Sequence, residues 1–286
     1  MSHFGKGKII MFKYCFNSTT LRGMDIWSAL RHIKASGYAG VELTLNDSHL
    51  HPLTSPPRLI EEVRDFCDDN AIAIVCLAAG GDRLLTDVRY EPSLTCADAA
   101  GRRRRLDLLL RTMDIARFLH IPVVNFNSGL PADGVTPEDA RGRLQAAVGE
   151  LVAHADGIVL VIEPEPDFFV GTTHSAIDLI QAFDDPRLRL NLDIGHVFCS
   201  EERPYESIEA ALPFTRHIHI EDIKNRIHHH EIPGEGDIDF RRVFGLLRQA
   251  KYEHYVSVEL HHHDGCWQRA LDESLSYLSA VEKAVQ

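Results

Sequence analysis

Short apolar runs rich in β-branched residues alternate along the whole chain with longer segments whose apolar positions recur every three or four residues. The runs are KIIMFKYCF (8–16), AGVELTL (39–45), AIAIVCLAA (71–79), PVVNFNS (122–128), IVLVIEPE (158–165), LRLNLDIG (188–195), HIHIED (217–222) and YVSVEL (255–260). Some, such as IVLVI at 158–162, are apolar at successive positions, as expected of a parallel strand covered on both faces. Between them, DIWSALRHIKASG, PPRLIEEVRDFCDDN, TPEDARGRLQAAVGELVAHA and THSAIDLIQAF read as amphipathic helices with Asp, Ser, Thr or Pro near their starts. No Ser/Pro/Gly linker interrupts the alternation, so residues 1–286 are expected to form one domain. Strand, helix, parallel strand is the repeat of the α/β class, and eight runs is the number of a (β/α)8 TIM barrel. An open doubly wound sheet shares this periodicity, but the chain lacks the G-x-G-x-x-G turn of its dinucleotide-binding form.

Composition narrows the setting. The 286 residues, 44% hydrophobic and 25% charged, suit a globular protein with a full-sized core. A net charge of −12 repels phosphate backbones and anionic lipid, which weighs against nucleic-acid or membrane partners. The one basic cluster, Arg102 to Arg105, opens an amphipathic segment and reads as a solvated helix face rather than an anion site. Cys15, Cys67, Cys76, Cys96, Cys199 and Cys266 show no C-x-x-C spacing and read as buried or free thiols of a reducing compartment. Lys13 breaks the only N-terminal apolar run, and no stretch approaches the ~20 residues of a membrane span. A cytoplasmic location is therefore expected.

In a barrel, chemistry gathers at the C-terminal ends of the strands and in the loops that follow. Those positions hold Glu42 and Asn46, Asn125 and Asn127, Glu163 and Glu165, Asp193 and His196, His219, Glu221 and Asp222, and Glu259 with His261 to His263. Singly, each carboxylate or imidazole could pair with a Lys or Arg at the barrel mouth. Together, Glu163, Asp193, His219 and Glu259 close the last four strand candidates, and a divalent cation explains why they converge. Three carboxylates and one imidazole suit one ion per chain, Mn2+ first, with Mg2+ or Co2+ as alternatives, better than a thiolate-rich structural zinc site. His196 and His230 are candidate substrate contacts, with Glu165 and Asn127 beside them. His230 precedes a loop in which Gly234 and Gly236 permit a tight turn over the mouth. The remaining histidines of the 228–230 and 261–263 triplets are expected to face solvent. Phe12, Phe16, Asn46 and Asp82 are candidates for specificity, and the acidic mouth favours a neutral substrate.

The segments GVEL (40–43), VIEPEP (161–166), LNLDIGH (190–196), HIHIEDIKNR (217–226), IPGEGDIDF (232–240) and VSVEL (256–260) carry a family pattern. In order and spacing they resemble the xylose isomerase-like barrel superfamily, specifically its sugar phosphate isomerases and epimerases. The resemblance implies that Glu163, Asp193, His219 and Glu259 are metal ligands and that Glu163 and Glu259 exchange the substrate proton from opposite faces of a cis-enediolate. The implied activity is isomerisation or epimerisation of a sugar or polyol-derived carbonyl compound, and homo-oligomers are compatible with it. Dehydration of an inosose- or dehydroshikimate-like substrate is the alternative. A non-catalytic barrel and an endonuclease IV-like phosphodiesterase stand further off. The latter needs additional ligands, for which only His49 and His51 offer themselves, and the acidic charge opposes DNA binding.

Overall fold

The computed structural model describes residues 11–80 and 83–285. Its strands are β1 (Lys13–Asn17), β2 (Gly40–Thr44), β3 (Ile74–Ala78), β4 (Val123–Phe126), β5 (Val159–Ile162), β6 (Leu188–Asp193), β7 (Thr215–Ile220), β8 (Asp222–Lys224), β9 (Ile227–Glu231) and β10 (Tyr255–Val258). Eight of them close a parallel barrel in the order β1-β10-β7-β6-β5-β4-β3-β2, while β8 and β9 form a separate antiparallel pair. The seam is β1 against β10, with Lys13 beside Tyr255 and Phe16 beside Val258. The predicted α/β barrel is therefore present, although the expected first run begins at residues 8–10, outside the described residues.

Strand parity explains how a barrel of apolar runs carries a polar centre. Successive side chains of a strand point to opposite faces. Phe16, Val41, Leu43, Leu77, Val124, Leu160, Leu190, Ile218 and Val256 point outward and pack on helix residues such as Leu30, Val63, Met113, Val148, Ile180 and Phe244. The alternate positions face the barrel axis. There Cys15, Cys76, Val123 and Val161 form a small apolar cluster, and Asn17, Glu42, Asn125, Asn191, Asp193, His217, His219 and Ser257 share the inward parity and are buried.

The outer layer is α1 (Ile26–Ala35), α2 (Pro57–Asp69), α3 (Ala99–Phe118), α4 (Pro137–His154), α5 (Thr173–Phe183), α6 (Ile194–Ser200), α7 (Pro204–Ala211), α8 (Phe240–Gln249) and α9 (Trp267–Ala284). Three of the four expected starts carry side-chain caps, while α2 opens on Pro56 and Pro57 without one. Asp25 accepts from the Ser28 amide at 2.9 Å, Thr136 from that of Asp139 at 3.1 Å, and Thr172 and Ser175 form a reciprocal capping box.

Several expectations change. The run 158–165 stops as a strand at Ile162, and the run 188–195 turns into α6 after Asp193, whose side chain caps that helix. The run 217–222 ends at Ile220, and Asp222 instead starts a hairpin absent from the sequence reading. Its turn residues Asn225 and Arg226 both have positive φ, the geometry of a two-residue hairpin turn. Arg105 does not belong to a solvated face: it is buried, and its Nε donates to the Pro92 carbonyl at 2.9 Å. Among the described residues no helix is long and apolar enough to cross a membrane.

Candidate metal centre and active site

Glu163, Asp193, His219 and Glu259 come from β5, β6, β7 and β10 or the residue just after them, at inward positions on the C-terminal side of the barrel. All four are buried, and one ligand atom of each lies within 4.8 Å of the others. Around Nδ1 of His219 stand Oε1 of Glu163 at 3.0 Å, Oε2 of Glu259 at 3.2 Å and Oδ2 of Asp193 at 3.7 Å. One imidazole N–H cannot satisfy three carboxylates, and Oδ2 of Asp193 has no hydrogen-bond partner. An orphaned buried oxygen within a ring of anionic donors fits a divalent cation, and the mixture of oxygens with one nitrogen suits Mn2+, Mg2+, Co2+ or Zn2+.

Neighbouring side chains fix these donors. Asn125 Nδ2 donates to Oε2 of Glu163 at 2.6 Å, and Asn17 Nδ2 to Oε1 of Glu259 at 2.7 Å. Oδ1 of Asp193 accepts the His196 amide at 2.7 Å, which turns its other oxygen toward the cluster. The environment separates the carboxyls electrically. Burial, then the charges of Glu163 and Glu42, raise Glu259 to about 7 against the pull of His219. Burial and Glu163 raise Glu165 to about 8. Burial also opposes ionisation of Glu163, but His219 outweighs it and holds that carboxyl below its usual range. A bound dication would stabilise every carboxylate of the ring.

A cavity of about 490 Å³ opens over Glu163 and Glu259. His196, His228, His230, His261 and His262 line it together with Glu165 and Asn125. His196 directs Nδ1 to the Pro164 carbonyl at 3.1 Å, and His230 directs Nδ1 to the Glu259 carbonyl at 3.2 Å. Each ring is thereby anchored at one nitrogen. Nε2 of His230 lies 2.8 Å from Nε2 of His228. Glu165 faces the cavity, but Asn127 is not among the lining residues; its amide supports Glu165 with a 2.7 Å bond to Oε1. His263, expected in solvent, is buried and bonds the His230 carbonyl at 2.9 Å, so it braces the hairpin.

Of the specificity candidates, Asn46 lines the cavity, Phe16 is buried in the core, Phe12 packs on Phe244, and Asp82 lies outside the described residues. The mouth is not uniformly acidic, because Arg22, Arg83 and Arg89 line it on the side of the loops after β1 and β3. These arginines, and the supporting role of Asn17, escaped the sequence reading. No periodicity marks loop residues, although the inward parity of Asn17 was available. His49 and His51 are buried away from the cavity; His51 Nε2 sits 2.8 Å from the Leu84 carbonyl.

A closed parallel barrel with three carboxylates and an imidazole gathered beneath its C-terminal mouth defines a class of barrel proteins whose centre can hold a divalent cation. Residues 30–281 match the family described as xylose isomerase-like TIM barrel, and the chain belongs to that family. The provisionally named hydroxypyruvate isomerase of Danio rerio is 28% identical over 114 residues, 38% of this chain and 40% of that protein. The inosose dehydratase of Clostridium tetani is 30% identical over 105 residues, 30% of this chain and 35% of that protein. The matched region thus spans about half or less of the length of the curated relatives. The fold is shared more widely: the crystal structure of apo 3-keto-D-glucoside 4-epimerase from E. coli superposes with a TM-score of 0.78 at 18% identity, covering 94% of this chain and 100% of that one.

Proposed function

We propose that the protein is a divalent-metal-dependent isomerase or epimerase of a sugar or related polyhydroxy carbonyl compound. The observation that carries this reading is the buried ring of Glu163, Asp193, His219 and Glu259, with an unpartnered Asp193 oxygen, at the floor of a polar cavity. These four residues would hold the ion. When bound, a divalent cation polarises a carbonyl and an adjacent hydroxyl oxygen and stabilises negative charge that develops on them.

The protein's own groups account for the rest. A carboxylate oxygen of Glu163 or Glu259 takes the proton from the carbon beside the carbonyl, and the other glutamate returns a proton. Asn125 and Asn17 hold these carboxylates through the oxygens they already bond. His196 and the paired His230 and His228, whose Nε2 atoms meet at 2.8 Å, line the cavity wall as contacts for substrate hydroxyls, with His196 and His230 anchored through Nδ1. Glu165, steadied by Asn127, offers a further polar contact from the same wall. Family membership and the epimerase and isomerase names of similar proteins support this reading.

Loss of water is the second reading, favoured by the inosose dehydratases among the relatives, since the same proton abstraction can be followed by departure of a β-hydroxyl. Elemental analysis, chelation and metal restoration, followed by a substrate screen, test both. One bound ion per chain and Mn2+-restored interconversion of a substrate with its isomer supports the first reading. A product lighter by one water selects the second. Absence of a bound divalent ion under every condition overturns both.

A further inference from the structure

The wall of the barrel opposite the ring carries a carboxylate that the proposed chemistry does not use. Glu42, on β2, is fully buried with inward parity. In the closed order β2 neighbours β1 and β3, whereas β7 lies between β10 and β6, so a contact from Glu42 to β7 crosses the barrel interior. It makes such a contact: Nε2 of His219 lies 2.9 Å from both oxygens of Glu42, and Nε2 of His217 lies 2.9 Å from Oε2. The two imidazoles meet edge to face, with ring centroids 5.4 Å apart. His219 therefore turns Nε2 toward Glu42 and Nδ1 toward Glu163, Glu259 and Asp193. Glu42, Cys76 and His217 are also close enough together to hold an ion of their own. However, both Glu42 oxygens already face imidazole nitrogens, and no solvent reaches the group.

Resting on the metal-centre reading above, we propose that Glu42 is the positioning residue of that centre: by accepting the Nε2–H of His219 it fixes the tautomer that leaves the Nδ1 lone pair for the cation. His217 donates to the same carboxylate and holds it across the barrel. A metal-ligating histidine needs its second nitrogen bonded in this way, because a free ring samples both tautomers and rotates away from the ion. Glu42 touches neither the proposed cation nor the cavity; it acts through His219. The N-terminal strands thus supply orienting groups, Asn17, Glu42 and Asn125, while the later strands supply the ligands.

The test is metal affinity rather than turnover. Chelator-stripped wild type, Glu42→Ala and Glu42→Gln are titrated with Mn2+, with free ion followed by electron paramagnetic resonance and folding by circular dichroism. Glu42→Ala is expected to bind Mn2+ roughly 10- to 100-fold more weakly. Glu42→Gln, which keeps an acceptor oxygen at the same reach, is expected to recover most of that loss. An unchanged Kd in folded Glu42→Ala overturns the proposal, as do equal losses in both variants, which would mean that charge rather than the hydrogen bond matters. A measurement on the wild type does not depend on how the variants fold: in long-range proton–nitrogen spectra, added Zn2+ should shift Nδ1 of His219 while Nε2 keeps its proton. A shift at Nε2 instead overturns the proposal. Failure of the wild type to bind either ion is separately visible and removes the metal reading on which the proposal rests.

Discussion

Among single residues, Glu259 and Gly195 make the sharpest claims. Glu259→Gln keeps the size of the side chain and an oxygen able to accept from Asn17, but removes a negative ligand and a proton carrier. Turnover should fall by about 10²-fold or more, on the scale of lost acid–base catalysis. The thermal midpoint should stay close to that of wild type; activity within tenfold of wild type would remove Glu259 from the proposed proton transfer. Gly195, in the first turn of α6, leaves room for the buried Glu221, whose carboxyl carbon would lie 2.7 Å from an added methyl. Gly195→Ala should therefore destabilise the fold by about 1–3 kcal/mol, the usual penalty of overpacking. An unchanged urea midpoint would show that Glu221 moves aside freely. The DIGH spacing was legible in the sequence, but this close approach was not, because Glu221 lies after β7, far from Gly195 in the chain.

Among the elements, the β8–β9 hairpin and its following loop decide where His230 stands. Asp222 pins the loop: Oδ1 accepts the amides of Ile223 at 2.9 Å and Ile238 at 3.1 Å, and Oδ2 accepts that of Gly234 at 2.8 Å. Gly236 leaves space for this carboxylate, and Gly234 has a φ of +100°, so neither position accepts a side chain without strain. Asp222→Ala should free the 232–238 loop at a cost of about 1–3 kcal/mol for the amides left unpaired. Limited proteolysis should then cut within it, and a loop as resistant as in wild type would deny Asp222 this role. The apolar pattern of 217–222 places Asp222 at the end of a strand. The IPGEGDIDF turn is marked by its glycines, but the hairpin before it is not, because IHHH carries no period-2 alternation of apolar residues. Only the positive φ of Asn225 and Arg226 makes that reversal.

On the scale of the whole molecule, closure joins the two ends of the chain. Glu282 of α9 is fully buried and accepts from the Phe12 amide at 2.9 Å and from Tyr14 Oη at 3.0 Å, with Arg248 of α8 beside it at 3.4 Å. Glu282→Ala leaves the Tyr14 hydroxyl and the Phe12 amide without their acceptor, while Arg248 keeps the carbonyls of Val285 and of residue 282, and should cost about 1–3 kcal/mol. A lower urea midpoint with an unchanged slope would show it, whereas an unshifted midpoint would mean that closure does not depend on this contact. If the chain is one domain, near- and far-ultraviolet signals should be lost together in that experiment. The apolar periodicity by itself determined the α/β class and the eight barrel strands, and the polar residues Asp25, Thr136 and Thr172 marked the caps of α1, α4 and α5, because these signals are local properties of the chain. It also placed Glu163, Asp193, His219 and Glu259 near strand ends. Their gathering within 4.8 Å, the crossing of Glu42 to His219, the arginines at the mouth and the burial of Arg105 were decided only by the tertiary structure. Each depends on strands or loops distant in sequence meeting around one axis, and closure of the barrel, rather than any local pattern, sets which inward side chains meet.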